Sequence, residues 1–134
     1  MRGNERLVAE RRPVESVLDA SALLAWLRGE PGGREVGFLL SRSSISSVNW
    51  SEVVQKVATF GLGSENRRAE LEALGLRIVG FDRDDAEMAA SLWQRAPSLS
   101  LADRACLALA DRLTVPAVTA DRVWAAWISG FRFG

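Results

Sequence analysis

The strongest constraint on the fold is a helix pattern that is followed at once by a short strand pattern. Residues 98–110, SLSLADRACLALA, predict the start of a buried helix that runs to about Leu113, and residues 114–121 predict a strand. A helix of roughly 11 residues advances about 16 Å, and a strand of roughly five residues returns about 17 Å. The chain therefore goes out and comes back, which places Asp121 at the strand end beside Asp103 in the first helical turn.

The rest of the chain repeats this alternation of strand and helix patterns. The predicted elements are a strand at 14–18, helices at 20–28 and 34–43, a strand at 44–48, helices at 49–60 and 64–74, a strand at 76–81, helices at 82–96 and 122–128, and an edge strand at 131–133. In the helix at 82–96, Ala86, Ala89, Ala90 and Trp93 are expected to face inward. The alternation favours an α/β fold, a mainly parallel central sheet of four or five strands with helices on both faces.

Length and composition favour one small globular unit. The 134 residues predict a single domain at 13–134, preceded by a polar, charged tail at 1–12. No apolar run reaches the roughly 18 residues that a membrane span needs, and the first residues lack the apolar segment of a signal peptide. The single cysteine, Cys106, cannot form an internal disulfide, so a cytoplasmic protein is expected.

Missing residue types narrow the possible chemistry. The chain has no histidine and no tyrosine, so neither a Ser-His-Asp site nor a histidine-rich zinc site can form within it. Val53 stands three residues before Lys56, which excludes a Ser-x-x-Lys pair, and no glycine-rich phosphate-binding pattern occurs. Carboxylates with a hard, oxygen-preferring metal ion remain as the natural chemistry for an enzyme.

Four acids are predicted at one edge of the sheet. Asp19 follows the first strand, Glu52 lies in the first helical turn after the second, and Asp121 follows the strand that pairs with the helix of Asp103. Each acid also fits a helix cap, which is worth roughly 1 kcal/mol. Carboxylates about 4 Å apart repel by roughly 4 kcal/mol per pair at an effective dielectric near 20. Capping gives no reason to gather four of them, whereas a divalent cation does.

Polar neighbours of these acids support a site at the same edge. Ser21, Asn49 and Thr119 can orient a carboxylate or a metal-bound water, although helix or turn chemistry also explains each of them. Arg104 and Arg122 each follow an acid directly, and either can contact a phosphate or form a surface salt bridge. Because the formal net charge is +0, a nucleic-acid partner would be held by a local patch of this kind.

Four motifs follow one another along the chain: VLDASALL at 17–24 with GEPG at 29–32, SVNWSEV at 47–53, LSLADRACLALA at 99–110 and VTADRVW at 118–124. Together they resemble the motifs of PIN-domain proteins, and most closely those of the toxin nucleases of VapC-type toxin–antitoxin pairs. The combined order is specific to the family, and the resemblance extends from about residue 14 to the end of the chain. Ala102 stands where the family often has glycine, and the charged N-terminal tail is longer than usual.

The resemblance implies a PIN fold with Mg²⁺- or Mn²⁺-dependent endoribonuclease activity. It assigns the catalytic set to Asp19, Glu52, Asp103 and Asp121, with Asp19, Asp103 and Asp121 as the metal ligands and Ser21 and Thr119 as secondary positions. It further implies an RNA substrate, a homodimer, and a cognate antitoxin that covers the groove near the first helices.

Other functional interpretations also agree with parts of the sequence. An aspartyl-phosphate phosphatase or phospho-receiver suits Asp19, but position 21 is serine and no late strand-end lysine follows. A PIN-fold interaction module without catalysis, or a PIN ribonuclease that processes RNA outside a toxin–antitoxin pair, agrees with the same motifs. Intact acids at all four motifs favour the catalytic interpretation.

Overall fold

The computed structural model describes residues 13–61, 63 and 66–120. Its elements, in chain order, are β1 (Ser16–Leu18), α1 (Ala20–Arg28), α2 (Gly33–Leu39), a 3₁₀ turn (Leu40–Arg42), β2 (Ser43–Ser46), α3 (Ser47–Thr59), α4 (Arg67–Ala73), β3 (Arg77–Val79), α5 (Arg83–Arg95), α6 (Leu101–Leu113) and β4 (Ala117–Val118). The tail at 1–12, the helix at 122–128 and the strand at 131–133 lie outside the described residues, so these expectations stay predictions.

The described strands form one four-stranded sheet in the order β3-β2-β1-β4. Every pairing is parallel, and Val17 of β1 stands opposite Ser44 of β2 on one side and Ala117 of β4 on the other. Ile45 of β2 faces Ile78 of β3. The predicted α/β class with a parallel central sheet is therefore confirmed.

Helices cover both faces of this sheet and enclose two apolar clusters. Leu18 belongs to the cluster under α1 to α4, whereas its neighbour Val17 belongs to the cluster under α5 and α6, because successive side chains of a strand point to opposite faces. The chain steps from β1 through β2 to β3 and then returns past β1 to β4. Since parallel crossovers are right-handed, this reversal of direction places α5 and α6 on the opposite face.

Helix lengths are set by local stop and start signals. α1 ends at Gly29, which adopts a left-handed conformation with φ of 64° and donates its N–H to carbonyls of the last turn.

The longest described helices, α3, α5 and α6, have 13 residues each. A bilayer requires about 20 apolar residues in a helix, and no described helix is long and apolar enough to cross one.

The start of α3 corrects the sequence-based boundary. The helix begins at Ser47, and the hydroxyl of Ser46 caps it by accepting from the N–H of Val48 at 3.3 Å. The predicted strand therefore ends before Val48, and Asn49 and Glu52 do not form a capping box. A serine in the last strand position outcompetes the later cap because its hydroxyl reaches the first free N–H groups of the helix.

The inward face of α5 also differs from the prediction. Ala89, Leu92 and Asp85 are buried, whereas Trp93 is 53% exposed and Ala86 and Ala90 are exposed as well. α5 packs chiefly against α6, so only a narrow stripe of its surface is covered. Asp85 is tolerated in that stripe because the Arg112 guanidinium on α6 donates two hydrogen bonds to its carboxylate.

Candidate active site at the carboxyl edge of the sheet

The site residues lie where the parallel strands end. β1 is the strand beside which the order of connections reverses, and in open parallel sheets ligands bind outside the strand ends at such a switch point. Asp19 follows β1 directly, and Thr119 follows β4 directly. α6 runs antiparallel to the strands, so its first turn, with Asp103, returns to the same edge. The predicted out-and-back path of α6 and β4 thus leads both elements to one end of the sheet.

Asp19 is a buried carboxylate with three neutral donors. It caps α1, because its Oδ1 accepts from the N–H of Ala22 at 2.9 Å and from the hydroxyl of Ser21 at 2.8 Å. Its Oδ2 accepts from the hydroxyl of Thr119 at 2.6 Å. The residue is only 4% exposed. Burial raises the pKa of the Asp19 carboxyl above its ordinary value of 3.8, and these three hydrogen bonds oppose that rise.

Ser21 and Thr119 connect the end of β4 to the start of α1. Their hydroxyl oxygens are 3.2 Å apart, and the N–H of Ala120 donates to the Ser21 hydroxyl at 2.9 Å. The backbone N–H of Asp19 also donates to the carbonyl of Val118 at 3.1 Å. These contacts fix the Asp19 carboxylate in one orientation. The sequence placed Ser21 and Thr119 near this edge, and the structure gives each a direct contact with Asp19.

α3 supplies an amide and a second carboxylate. Asn49 is buried, and its Nδ2 donates to the carbonyl of Ala102 at 3.1 Å, which connects α3 to the first turn of α6. Glu52 follows in the second turn of α3. Burial, followed by the negative charges of Asp103 and Asp19, raises the pKa of the Glu52 carboxyl above its ordinary value of 4.5.

Asp103 occupies the third position of α6 and forms a reciprocal capping box with Ser100. The Ser100 hydroxyl accepts from the N–H of Asp103 at 3.1 Å, and Oδ2 of Asp103 accepts from the N–H of Ser100 at 3.1 Å. The predicted capping relation between the two residues is confirmed. Asp103 therefore has a structural task at the helix start in addition to any chemical one.

The three described acids line a single cavity of about 210 Å³. Its other lining residues are Ala20, Ser21, Leu24, Asn49 and Lys56. The charge of Asp103 raises the pKa of both Asp19 and Glu52, so the three carboxyls repel one another across this space. The structure therefore brings together residues from three elements that are far apart in the sequence.

Cys106 lies one turn beyond Asp103 on α6 and is buried in the apolar cluster under α5 and α6. Burial raises the pKa of its thiol well above 9.0, and the charges of Asp19, Asp103 and Glu52 raise it further. A thiol in such a setting stays protonated and is a poor nucleophile. The lone cysteine is therefore a core residue.

The cavity has the oxygen donors that a hard divalent cation prefers, but the described acids are not already arranged around an ion position. Over residues 13–61, 63 and 66–120, no three acidic or other metal-ligating side chains are placed closely enough to hold an ion together. Asn49 Oδ1 is buried and receives no hydrogen bond there, which leaves an acceptor for a ligand. Carboxylate and amide oxygens are the donors that Mg²⁺ takes. The donor types therefore fit the ion, and the capping box occupies only Oδ2 of Asp103, not Oδ1.

The predicted arginine contacts with RNA stay predictions. Arg104 donates from Nη1 to the carbonyl of Ala89 at 2.8 Å and from Nε to the carbonyl of Leu99 at 3.4 Å. These bonds use two of the five guanidinium N–H groups, and an RNA contact by Arg104 stays a prediction. Asp121 and Arg122 lie outside the described residues, so their proximity to the cavity also stays a prediction. Sequence reasoning missed Lys56 as a site residue, although its spacing from Glu52 places both on one helix face.

The family follows from a direct comparison of the sequence. A model of the PIN domain family matches residues 16–126. The chain belongs to the PIN domain family, which confirms the resemblance carried by its four motifs. A search of curated proteins found no significant sequence match.

Solved structures with the same fold include two bacterial examples. A chain of a toxin–antitoxin complex from Klebsiella pneumoniae shares 22% sequence identity, with 83% of this chain and 91% of that chain covered and a TM-score of 0.64. A chain of FitAcB from Neisseria gonorrhoeae shares 23% identity, with 85% and 93% covered and a TM-score of 0.66. At such identities the likeness establishes the fold.

Proposed function

We propose that this chain is a divalent-metal-dependent endoribonuclease and the toxin of a toxin–antitoxin pair. One observation carries the catalytic part: Asp19, Glu52 and Asp103 reach one cavity from three different elements at the switch point of the sheet. Gathered carboxylates repel, and helix capping alone gives no reason to collect them. In a PIN-family chain without histidine, metal-assisted hydrolysis of a phosphodiester is the chemistry that this donor set supports.

The metal ligands would be Asp19 and Asp103, together with Asp121. One or two Mg²⁺ ions, or Mn²⁺, would be held partly through water, which agrees with the absence of a preassembled site among the described acids. When bound, such an ion lowers the pKa of water and neutralises charge that develops on the attacked phosphate. Asn49 Oδ1 would accept a hydrogen bond from a water at the rim of this site.

Two carboxylates would act differently because their surroundings differ. Asp19 is fixed by donors from Ala22, Ser21 and Thr119, so its charge is oriented before a cation arrives. Glu52 is more exposed, and its raised pKa makes its carboxylate a better proton acceptor than an ordinary glutamate. Glu52 would therefore position the attacking water and accept its proton.

The substrate would be single-stranded or looped RNA. Because the formal net charge is +0, long-range attraction contributes little, and phosphate contacts must come from side chains near the cavity. Sequence-specific RNA recognition depends on unstacked bases in loops and ends. Arg104 and Arg122 remain the arginines predicted to contact the RNA backbone.

The proposal that an antitoxin binds this chain is supported by a structurally similar chain that occurs in a toxin–antitoxin complex. The Klebsiella pneumoniae chain belongs to a toxin–antitoxin complex. In this chain a groove of about 210 Å³ between α1 and α4 is lined by four apolar side chains and by two charged ones, Arg67 and Glu70. The apolar ones are Trp26, Leu27, Leu71 and Leu74, and Leu74 is 51% exposed. An apolar segment of the antitoxin would cover this groove. We expect Leu74→Glu to keep RNA cleavage but to lose neutralisation by the co-expressed antitoxin.

A homodimer, implied by the family resemblance, is also part of the proposal. Light scattering on the purified protein would then give twice the chain mass of 14.6 kDa. A mass of one chain at micromolar concentration would contradict this part without affecting the nuclease assignment.

A cleavage assay tests the catalytic proposal. Purified protein, free of antitoxin, is incubated with structured RNAs in Mg²⁺, Mn²⁺ or EDTA, and RNA ends are mapped. We expect cleavage with either metal and none in EDTA. Asp103→Asn should reduce the rate by at least about 100-fold, whereas Asp111→Asn, an exposed acid on the same helix, should leave it unchanged.

Two outcomes of this assay decide against the mechanism. Cleavage that persists in EDTA, or equally in Asp103→Asn, contradicts metal-carboxylate catalysis. Calorimetric titration with Mn²⁺ distinguishes the nuclease from a non-catalytic PIN-fold interaction module. A protein with neither saturable Mn²⁺ binding nor cleavage would be such a module.

A further inference from the structure

One cation shares the cavity with the acids. Lys56, the only lysine in the sequence, lines it together with Asp19, Glu52 and Asp103. Lys56 lies one helical turn beyond Glu52, so both side chains project from the same side of α3. Its side chain is exposed to solvent. A positive charge therefore stands at the rim of a space otherwise surrounded by negative charge.

The arginines on the elements that carry the acids are held by other groups. On α1, Arg28 lies over an aromatic ring and pairs with a glutamate. On α6, Arg104 donates to two backbone carbonyls, and Arg112 pairs with Asp85. Within the described part of the chain, the Lys56 ammonium takes part in no hydrogen bond and no ion pair within 4 Å, although its charge acts on Glu52 and opposes the rise in the pKa of that carboxyl. Among the cations of α1, α3 and α6, Lys56 is thus the one whose charged end is available to a ligand.

We propose that Lys56 binds a backbone phosphate of the RNA at the rim of the cavity and acts as a substrate-positioning residue. This inference rests on the proposed nuclease function. A phosphodiester is repelled by three carboxylates, and a chain of zero net charge offers no bulk attraction, so a cationic side chain at the rim favours RNA binding in addition to any bound metal ion. The hydrated ammonium of lysine on its flexible stem suits a point contact to phosphate.

The competing explanation is a purely structural pair within α3. A glutamate four residues before a lysine stabilises a helix by about 0.2–0.5 kcal/mol. Such a pair would affect stability slightly and RNA binding not at all. The two roles therefore differ in the salt dependence of RNA binding.

The test measures binding of a fluorescent oligouridylate in EDTA over a series of KCl concentrations, with Mg²⁺ kinetics in parallel. Loss of one phosphate contact to a single strand should reduce the slope of log K against log salt by about 0.7. We expect this reduction, an affinity loss of about five-fold and a raised KM with similar kcat for Lys56→Gln. Lys56→Arg should restore the slope. Arg68→Gln, which removes an equal charge from the exposed surface of α4, should not alter it.

Each outcome decides the inference. A slope and affinity for Lys56→Gln that equal those of Arg68→Gln overturn it, while cleavage by the parent protein leaves the nuclease function standing. A parent protein that neither binds nor cleaves RNA overturns both. Thermal unfolding of each variant shows whether a loss of RNA binding comes from a loss of folding. If Lys56→Gln is unfolded, the inference is tested by Lys56→Arg, which keeps the positive charge and should bind RNA with the parent's salt dependence.

Discussion

Replacing Asp19 with asparagine should abolish cleavage and yet stabilise the fold at neutral pH. The amide oxygen can still accept from the N–H of Ala22 and the hydroxyl of Ser21, and asparagine caps helices as well as aspartate does. The new Nδ2 can donate to Thr119, whose hydroxyl hydrogen then turns toward the Ser21 oxygen at 3.2 Å. The substitution thus keeps the number of hydrogen bonds and removes a buried charge.

The magnitude follows from the cost of that charge. Burial raises the pKa of Asp19 in the folded chain, so ionisation at neutral pH reduces stability, while the three donors offset part of the cost. We expect a gain of about 1 kcal/mol for Asp19→Asn, within the roughly 0.5–2 kcal/mol typical of single stabilising substitutions. For a domain of this size the melting temperature should rise by about 4 °C.

The pH dependence has a definite sign. Because the folded-state pKa lies above the ordinary value of 3.8, the parent loses stability as pH rises from 3.8 through the folded pKa, and then remains level. The variant has no such loss at this position. Its advantage is therefore complete at neutral pH and disappears as pH falls toward and below 3.8, where the Asp19 carboxyl is protonated in both folded and unfolded chains.

Urea unfolding in EDTA, followed by the fluorescence of the five tryptophans, measures both effects at pH 7.5 and pH 4. RNA cleavage in Mg²⁺ is measured in parallel. Asp111→Asn serves as the control and should change stability by less than about 0.5 kcal/mol. An Asp19→Asn protein that is less stable than the parent at pH 7.5, or whose gain is undiminished at pH 4, would refute the reasoning.

Two further predictions concern the helices that carry the site. Arg112→Met should destabilise the fold by about 2–3 kcal/mol, because it leaves the Asp85 carboxylate, which is 5% exposed, without its bidentate partner at 2.9 and 3.1 Å. Thermal unfolding measures this loss against Arg68→Met, which removes an exposed ion pair and should cost at most about 1 kcal/mol. Equal losses in the two variants would contradict the prediction. Ser100→Ala should cost about 1 kcal/mol through the lost cap but change cleavage less than about three-fold, because the bond from the position-100 N–H to Asp103 does not need the serine side chain. A large loss of activity at unchanged stability would contradict the second expectation.

Much of the fold was readable because its signals are local. Helix starts at Asp19 and Ser100 and the stop at Gly29 depend on groups within one turn, and the structure has each of them. The start of α3 was misplaced because two overlapping cap patterns compete, and Ser46 is the one that reaches free N–H groups. Local chemistry alone does not rank such alternatives.

The sequence by itself determined the alternation of parallel strands and helices, and it placed Asp19, Glu52 and Asp103 at one sheet edge. Both follow from short-range patterns, because these acids stand at or just after the starts of helices that begin at that edge. Only the tertiary structure decided which groups meet. It buried Asp85 against Arg112, turned Arg104 toward backbone carbonyls, and placed Lys56 beside the three carboxylates. Burial and charge pairing depend on which helix covers which face, and that information is spread over residues far apart in the chain.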